Sequence, residues 1–204
     1  MKRSNSSRRW LDEHFNDFYV KKAHAEGYRS RAVYKLKEVD EKESLLRSGM
    51  TVVDLGAAPG GWTQYVSQKL ESGIIVAQDC IPMDALAGVT FILGDFCDAR
   101  VLEQLRSAVP KGIDVVLSDM APNMSGNPGV DIPCAMYLAE LALDLSVQLL
   151  KPGGALFMKI FHGTGFDALV KAARLHFARV VIRKPQASRS RSRETYLLAK
   201  GYNL

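Results

Sequence analysis

The sequence predicts a Rossmann-like α/β domain, with a mostly parallel seven-stranded sheet that ends in a C-terminal antiparallel β-hairpin. Three observations predict it. From about residue 50, short apolar runs alternate with amphipathic stretches, the pattern of strand–helix–strand units. The first run leads into a glycine turn, Gly56 to Gly61, which opens a helix. The last two apolar runs have no helical stretch between them, so they pair as a hairpin at one sheet edge.

The elements follow in order. Residues 30–43 carry Val33, Leu36 and Val39 on one side, the spacing of an amphipathic helix. Thr51–Leu55 reads as the first strand and 61–70 as the helix after it. Ile74–Gln78, Thr90–Leu93 and Ile113–Ser118 are further apolar runs of strand length, with a helix expected over 99–108. A helix over 132–150 stops at Pro152-Gly153-Gly154, where helix-breaking residues follow the last apolar turn. Ala155–Phe161, a helix over 164–175, then Arg179–Arg183 and Thr195–Lys200 complete the pattern. There is no internal repeat, and Ser188–Arg193 is the one low-complexity stretch. The expected organisation is a basic, aromatic-containing N-terminal segment over 1–29 and a catalytic domain over 30–204.

The composition bounds the function. A chain of 204 residues with 47% hydrophobic residues can bury one sizeable core. Cys80, Cys97 and Cys134 are odd in number and form no Cys-x-x-Cys pair, which points away from a disulfide framework and towards a reducing, cytoplasmic setting. No apolar run reaches the ~18–20 residues of a membrane span. The basic start meets Asp12 and Glu13 rather than an apolar core, so no targeting segment is expected.

The net charge of +5 is unevenly placed. Residues 1–37 hold ten Lys/Arg and four Asp/Glu, residues 179–204 hold seven and one, and the middle holds ten and seventeen. An acidic body with two basic ends suggests a polyanionic partner, against the plainer reading of solvated, solubilising termini. Trp10, Phe15, Phe18, Tyr19, Tyr28 and Tyr34 are interleaved with the N-terminal charges, spaced more as anchors to the body than as base-stacking platforms.

In a doubly wound sheet the glycine turn lies where a nucleotide ligand approaches backbone amides, and small residues leave room for that approach. The spacing departs from Gly-x-Gly-x-x-Gly, which counts against a dinucleotide. Asp79, at the end of the second strand, is placed to accept ribose hydroxyls; Asp95 could accept an adenine amino group, with Phe96 covering the ring. With Asp119 these make three acids at strand ends. They suit S-adenosylmethionine, which carries a sulfonium and an ammonium, and would repel the pyrophosphate of NAD.

Asp54-Leu-Gly-Ala-Ala-Pro-Gly-Gly-Trp62, Ser118-Asp-Met-Ala-Pro-Asn-Met-Ser-Gly126 and Ser30-Arg-Ala-Val-Tyr-Lys-Leu36 together resemble the FtsJ/RrmJ family of S-adenosylmethionine-dependent RNA ribose 2′-O-methyltransferases. The resemblance runs from Trp10 to Ala199 and is closest to the bacterial enzymes that methylate a uridine of large-subunit ribosomal RNA. It implies cofactor contacts at Gly60, Trp62, Asp79, Asp95 and Asp119, and a catalytic tetrad of Lys35, Asp119, Lys159 and Glu194. It also implies ribosomal RNA or the large ribosomal subunit as partner, with no membrane and no metal, and a single catalytic domain suits a monomer.

The chemistry fits such a set. A lysine in the apolar run Ala155–Phe161 is costly to bury unless paired or neutral. With an activated methyl donor, the protein needs only to align the ribose oxygen and take its proton. A lysine serves as that base when burial and neighbouring cations disfavour its charge. Lys159 is the expected general base or the accepting end of a relay, Asp119 and Glu194 orient the lysines, and Lys35 steadies the ribose or a phosphate. Arg189, Arg191, Arg193 and the N-terminal cations are expected on RNA phosphates.

Other readings are a transfer-RNA methyltransferase of the same family, an NAD-linked oxidoreductase and a non-catalytic ribosome-assembly factor. Base N-methylation lacks its stacking residue, since Asn123 stands where an aromatic is needed. His14, His24, His162 and His176 are scattered and read as surface or core.

Overall fold

The computed structural model describes residues 17–189 and 192–203. Seven strands form one sheet: β1 (Thr51–Leu55), β2 (Ile74–Asp79), β3 (Val89–Leu93), β4 (Ile113–Ser118), β5 (Leu150–Phe161), β6 (Phe177–Arg183) and β7 (Glu194–Tyr202). Their order is β3-β2-β1-β4-β5-β7-β6. The first five in that order are parallel, and β7 runs antiparallel to both β5 and β6. Only β7 is therefore reversed. It lies between β5 and β6, so the expected antiparallel pair stands at one end of the sheet with β6 as the edge strand.

Among the described residues six helices cover the sheet: α1 (Phe18–Ala25), α2 (Val33–Glu43), α3 (Gly61–Lys69), α4 (Ala99–Ala108), α5 (Pro128–Leu149) and α6 (Phe166–His176). One core packs α4, α5 and α6 on the sheet through residues such as Val101, Leu143 and Leu169. The other packs α1, α2 and α3 through Ala23, Leu36, Val39, Trp62 and Val66. All five residues of β1 are buried, as a central strand covered on both faces requires. Among the described residues, no helix is long and apolar enough to cross a membrane.

Three departures from the sequence reading have local causes. The first helix after the N-terminal segment begins at Val33 rather than 30, because Ser30–Ala32 form a tight turn bonding three residues ahead. α5 begins at Pro128, four residues early, since the Asn127 side chain accepts from Gly129 N–H at 3.0 Å and Pro128 fits a first helical turn. α1 was not expected: it buries only Ala23, too little for a readable periodicity, and is capped by Asp17, which accepts from Tyr19 N–H. Of the N-terminal aromatics, Tyr19 and Tyr28 pack on Tyr34, with ring centroids 5.4 and 6.0 Å away, while Phe18 is 68% exposed. Trp10, Phe15, His14 and Arg191 lie outside the described residues.

Candidate active site

The carboxyl ends of β1 and β4 open into a cleft of about 170 Å³, lined by Ser30, Arg31, Asp54, Gly56, Trp62 and Asp119 among others. Asp54 is the penultimate residue of β1 and is 1% exposed. Its Oδ2 accepts from Thr63 Oγ1 at 2.6 Å, but its Oδ1 is buried with no hydrogen-bond partner. Burial pushes its carboxyl to about 7; the Thr63 hydroxyl opposes the rise, and the charges of Asp119 and Asp79 add to it. A buried carboxylate oxygen without a donor, among like charges, favours taking up a proton or a cation.

The sequence-derived cofactor residues divide between the cleft and its surroundings. Trp62 and Asp119 line it, and Gly60 forms its turn at φ 103°. Trp62 donates from Nε1 to Ala32 O at 2.7 Å and stacks on Phe157, so its ring is fixed. Asp79 holds the floor of the turn: its Oδ2 accepts from Ala58 N–H at 2.8 Å and its Oδ1 from Ile81 N–H at 2.9 Å. Asp95 is exposed at the end of β3 and accepts from Cys97 N–H.

Two readings are corrected here. Phe96 is 5% exposed and packs in the core with Val101 and Leu105, so it has no free face to cover a ring. The glycines are required less by a ligand than by the chain itself. A Cβ on Gly56 would meet Met120 N at 2.8 Å, one on Gly60 would meet Arg29 Nη1 at 2.8 Å, and one on Gly61 would meet Ser30 Oγ at 2.2 Å. Residues 29 and 30 lie over the turn, and only glycine lets them.

The four charged residues form one connected cluster. Lys159 on β5 donates to Asp119 Oδ1 at 3.0 Å and to the Asp119 carbonyl at 2.6 Å. Lys35 on α2 pairs with Glu194 Oε1 at 2.7 Å. A residue the sequence reading missed joins the two halves: Tyr196 Oη accepts from Lys35 Nζ at 2.9 Å and donates to Asp119 Oδ1 at 3.0 Å. The register explains the convergence. Lys159 lies directly opposite Tyr196 across the antiparallel β5–β7 pair, and Glu194 shares the Tyr196 face two residues away.

Burial decides how these charges behave. Tyr196 is fully buried and its hydroxyl is pushed well above its ordinary range, first by burial and then by Asp119 and Glu194, so it stays protonated. Burial would raise the Asp119 carboxyl as well, but Lys159, Lys35 and the Tyr196 hydroxyl outweigh it and hold it low. The lysine side chains are only 8% (Lys159) and 12% (Lys35) exposed, so these pairs lack the solvent screening that weakens surface ion pairs.

The loop after Asp119 is held by Asp131, which accepts from Ser125 N–H and Oγ and from Gly126 N–H. Beyond Lys35 lies a second hollow of about 260 Å³, lined by Arg31, Lys35, Arg189, Ser192 and Glu194 and sharing Arg31 with the cleft. Arg31 is fixed there by Asp17 and the Ala187 carbonyl.

A doubly wound sheet with one reversed strand carries an acid-lined cleft beside two lysines, each paired with an acid, and the family it matches makes the chain a methyltransferase. The chain belongs to the FtsJ-like methyltransferase family, whose sequence model matches residues 28–202. It is 68% identical to a protein of Legionella pneumophila (strain Corby) named "Ribosomal RNA large subunit methyltransferase E", over the full length of both. A protein of the same name from Chromohalobacter salexigens is 57% identical, covering 98% of this chain and 96% of that one. Among solved structures, a Plasmodium falciparum chain described as a ribosomal RNA methyltransferase superposes with a TM-score of 0.75 at 29% identity, covering 86% of this chain and 98% of that one.

Proposed function

We propose that the protein transfers a methyl group from S-adenosylmethionine to the 2′-hydroxyl of a uridine ribose in large-subunit ribosomal RNA. The observation that carries the reading is the buried Lys35–Tyr196–Asp119–Lys159 chain, whose Asp119 lines a cleft together with Asp54, one of whose oxygens has no hydrogen-bond partner. The names of the full-length relatives support ribosomal RNA as the substrate.

The residues present fit the cofactor. Asp54 and Asp119 offer carboxylates to its positive groups, Trp62 gives an apolar wall, and Asp79 and Asp95 stand at the neighbouring strand ends for its nucleoside. When bound, S-adenosylmethionine supplies a methyl group already activated by the sulfonium. The protein then has two tasks, to fix the ribose oxygen and to remove its proton. Lys159 acts as the base, taking the 2′-hydroxyl proton on Nζ. As a neutral amine it gives both N–H groups to Asp119, which fixes the nitrogen and leaves its lone pair for the substrate proton. Glu194 and Tyr196 hold Lys35, whose ammonium faces the developing negative charge or an adjacent phosphate.

Labelled cofactor and ribosomal RNA test the reading: label on ribose that survives base removal is expected, and label on a base or on transfer RNA alone would overturn it. Mapping 2′-O-methyl sites in RNA from cells with and without the gene then identifies the nucleotide.

Two further outcomes are expected. Tyr196→Phe keeps the ring that stacks on Phe157 but removes the hydroxyl between the cluster's halves. Each half retains its own ion pair, so kcat should fall by about tenfold or less, with KM for RNA little changed. Changing Arg189, Arg191 and Arg193 together to Ala should weaken RNA binding and lessen its salt dependence by roughly one unit of slope per lost phosphate contact. An unaltered slope would remove this segment from the RNA interface.

A further inference from the structure

Two irregular loops meet beside the cleft, and the first of them lines it. One is the glycine turn, 56–60, and the other spans 80–88 after β2. From the sheet side Asp79 joins them, with one carboxylate oxygen on Ala58 N–H and the other on Ile81 N–H. A second tie crosses them from the outer side. Arg29 Nη1 donates to Asp84 O at 2.7 Å and to Pro59 O at 3.4 Å, and Nη2 donates to Ala85 O at 3.0 Å. Its Cδ lies 3.2 Å from where a Cβ on Gly60 would stand, so the side chain rests directly on the turn.

The backbone of Arg29 is anchored in turn. Its N–H donates to Gln64 Oε1 at 2.9 Å, and Gln64 Nε2 donates to Gly27 O at 2.9 Å, which seats residues 27–29 on α3. We propose that Arg29 is a positioning residue for cofactor binding: its guanidinium straps the glycine turn, which lines the cleft, to the 80–88 loop and so fixes the turn in place. The proposal rests on the reading of this cleft as the S-adenosylmethionine site. One tie at Asp79 leaves a hinge, whereas a second tie through Arg29 fixes the turn against the loop. Between Pro82 and Ala85, the described residues give hydrogen bonds only through Arg29. Without the strap, cofactor binding must order this loop itself, and that cost appears as lost affinity. The planar fork matters because it reaches three carbonyls on two loops, which a single ammonium cannot reproduce.

The test is calorimetric titration of S-adenosylmethionine into the full-length wild type, Arg29→Ala and Arg29→Lys, without RNA. Arg29→Ala should weaken cofactor binding about tenfold, the worth of roughly one charge-assisted hydrogen bond. Arg29→Lys should fall between it and the wild type, and it keeps the question answerable if the alanine variant folds poorly. In the transfer assay, KM for the cofactor should rise by the same factor, with kcat at saturation and RNA affinity within about twofold. Hydrogen exchange of the amides of 80–88 in the cofactor-free protein should speed up in both variants. Unchanged cofactor affinity and exchange would overturn the proposal, as would an equal loss of RNA affinity, which would place Arg29 on the RNA. A wild type that binds no cofactor would overturn the cofactor reading and this proposal with it; a wild type that binds, beside variants that bind equally well, overturns this proposal alone.

Discussion

Replacing Lys159 by Arg or by Met is expected to lower methyl transfer at saturating substrates by about 10²- to 10⁴-fold, the range spanned by a positioned base. The two variants separate two roles. Arg keeps the positive charge beside Asp119 but does not give up a proton near neutral pH, so it preserves an electrostatic contribution and abolishes a basic one. Met keeps the length of the side chain in a site where Lys159 is 8% exposed and removes both. Equal losses in the two therefore identify Lys159 as the proton acceptor. A Lys159→Arg enzyme with near wild-type turnover would reduce the lysine to a structural ion pair. Cofactor affinity should stay within a few fold in both, because the Asp54 side of the cleft is untouched. Asp119→Asn should cost less than either change at Lys159, since it removes an orienting charge while Tyr196 and the backbone carbonyl of residue 119 can still hold neighbours in place.

The relative ease of reading the lysines and the difficulty of reading Tyr196 have the same physical origin. A lysine inside Ala155–Phe161 contradicts its surroundings, and burial of a charge is costly enough that the contradiction signals a partner. A tyrosine inside Thr195–Lys200 contradicts nothing, because aromatic residues belong in strands. Only the register that sets Tyr196 opposite Lys159 turns its hydroxyl into the link between Lys35 and Asp119. Period-two alternation could have put Glu194 and Tyr196 on one face, but their partner strand is fixed by long-range pairing.

The glycine turn was legible as a turn, yet its demand for glycine comes from distant chain: Met120 against Gly56, and Arg29 and Ser30 against Gly60 and Gly61. Asp54 was likewise legible as a strand end. Its burial and missing partner depend on Thr63 taking one oxygen while Asp79 and Asp119 crowd the other side with negative charge. Sequence patterns carry strands, helices and misplaced charges well because those are local. They carry poorly the contacts that give an ordinary residue an unusual duty.

That unusual duty at Asp54 predicts a pH dependence whose sign can be worked out. Its carboxyl titrates at about 7 in the folded, ligand-free protein, against about 3.9 in an unfolded chain. Between those values the folded state holds a proton that the unfolded state has lost. The stability of the ligand-free protein should therefore fall as pH rises from about 4 to 7, by something on the order of 4 kcal/mol, and then level off. Cofactor affinity should move the other way. A cation is accepted by the ionised carboxylate, so binding below pH 7 must expel the proton, and affinity should drop about tenfold for each pH unit below 7 while staying flat above it. Calorimetry from pH 5.5 to 8.0, repeated in two buffers of different ionisation enthalpy, counts that proton directly. Asp54→Asn keeps an acceptor for the Thr63 hydroxyl but cannot ionise; it should bind about thirtyfold or more weakly at pH 8, lose the pH dependence, and be no less stable than the wild type there. A wild type whose affinity is flat from pH 5.5 to 7 would mean that no cation reaches Asp54, and the assignment of the cleft's acid to the positive end of the cofactor would fail with it.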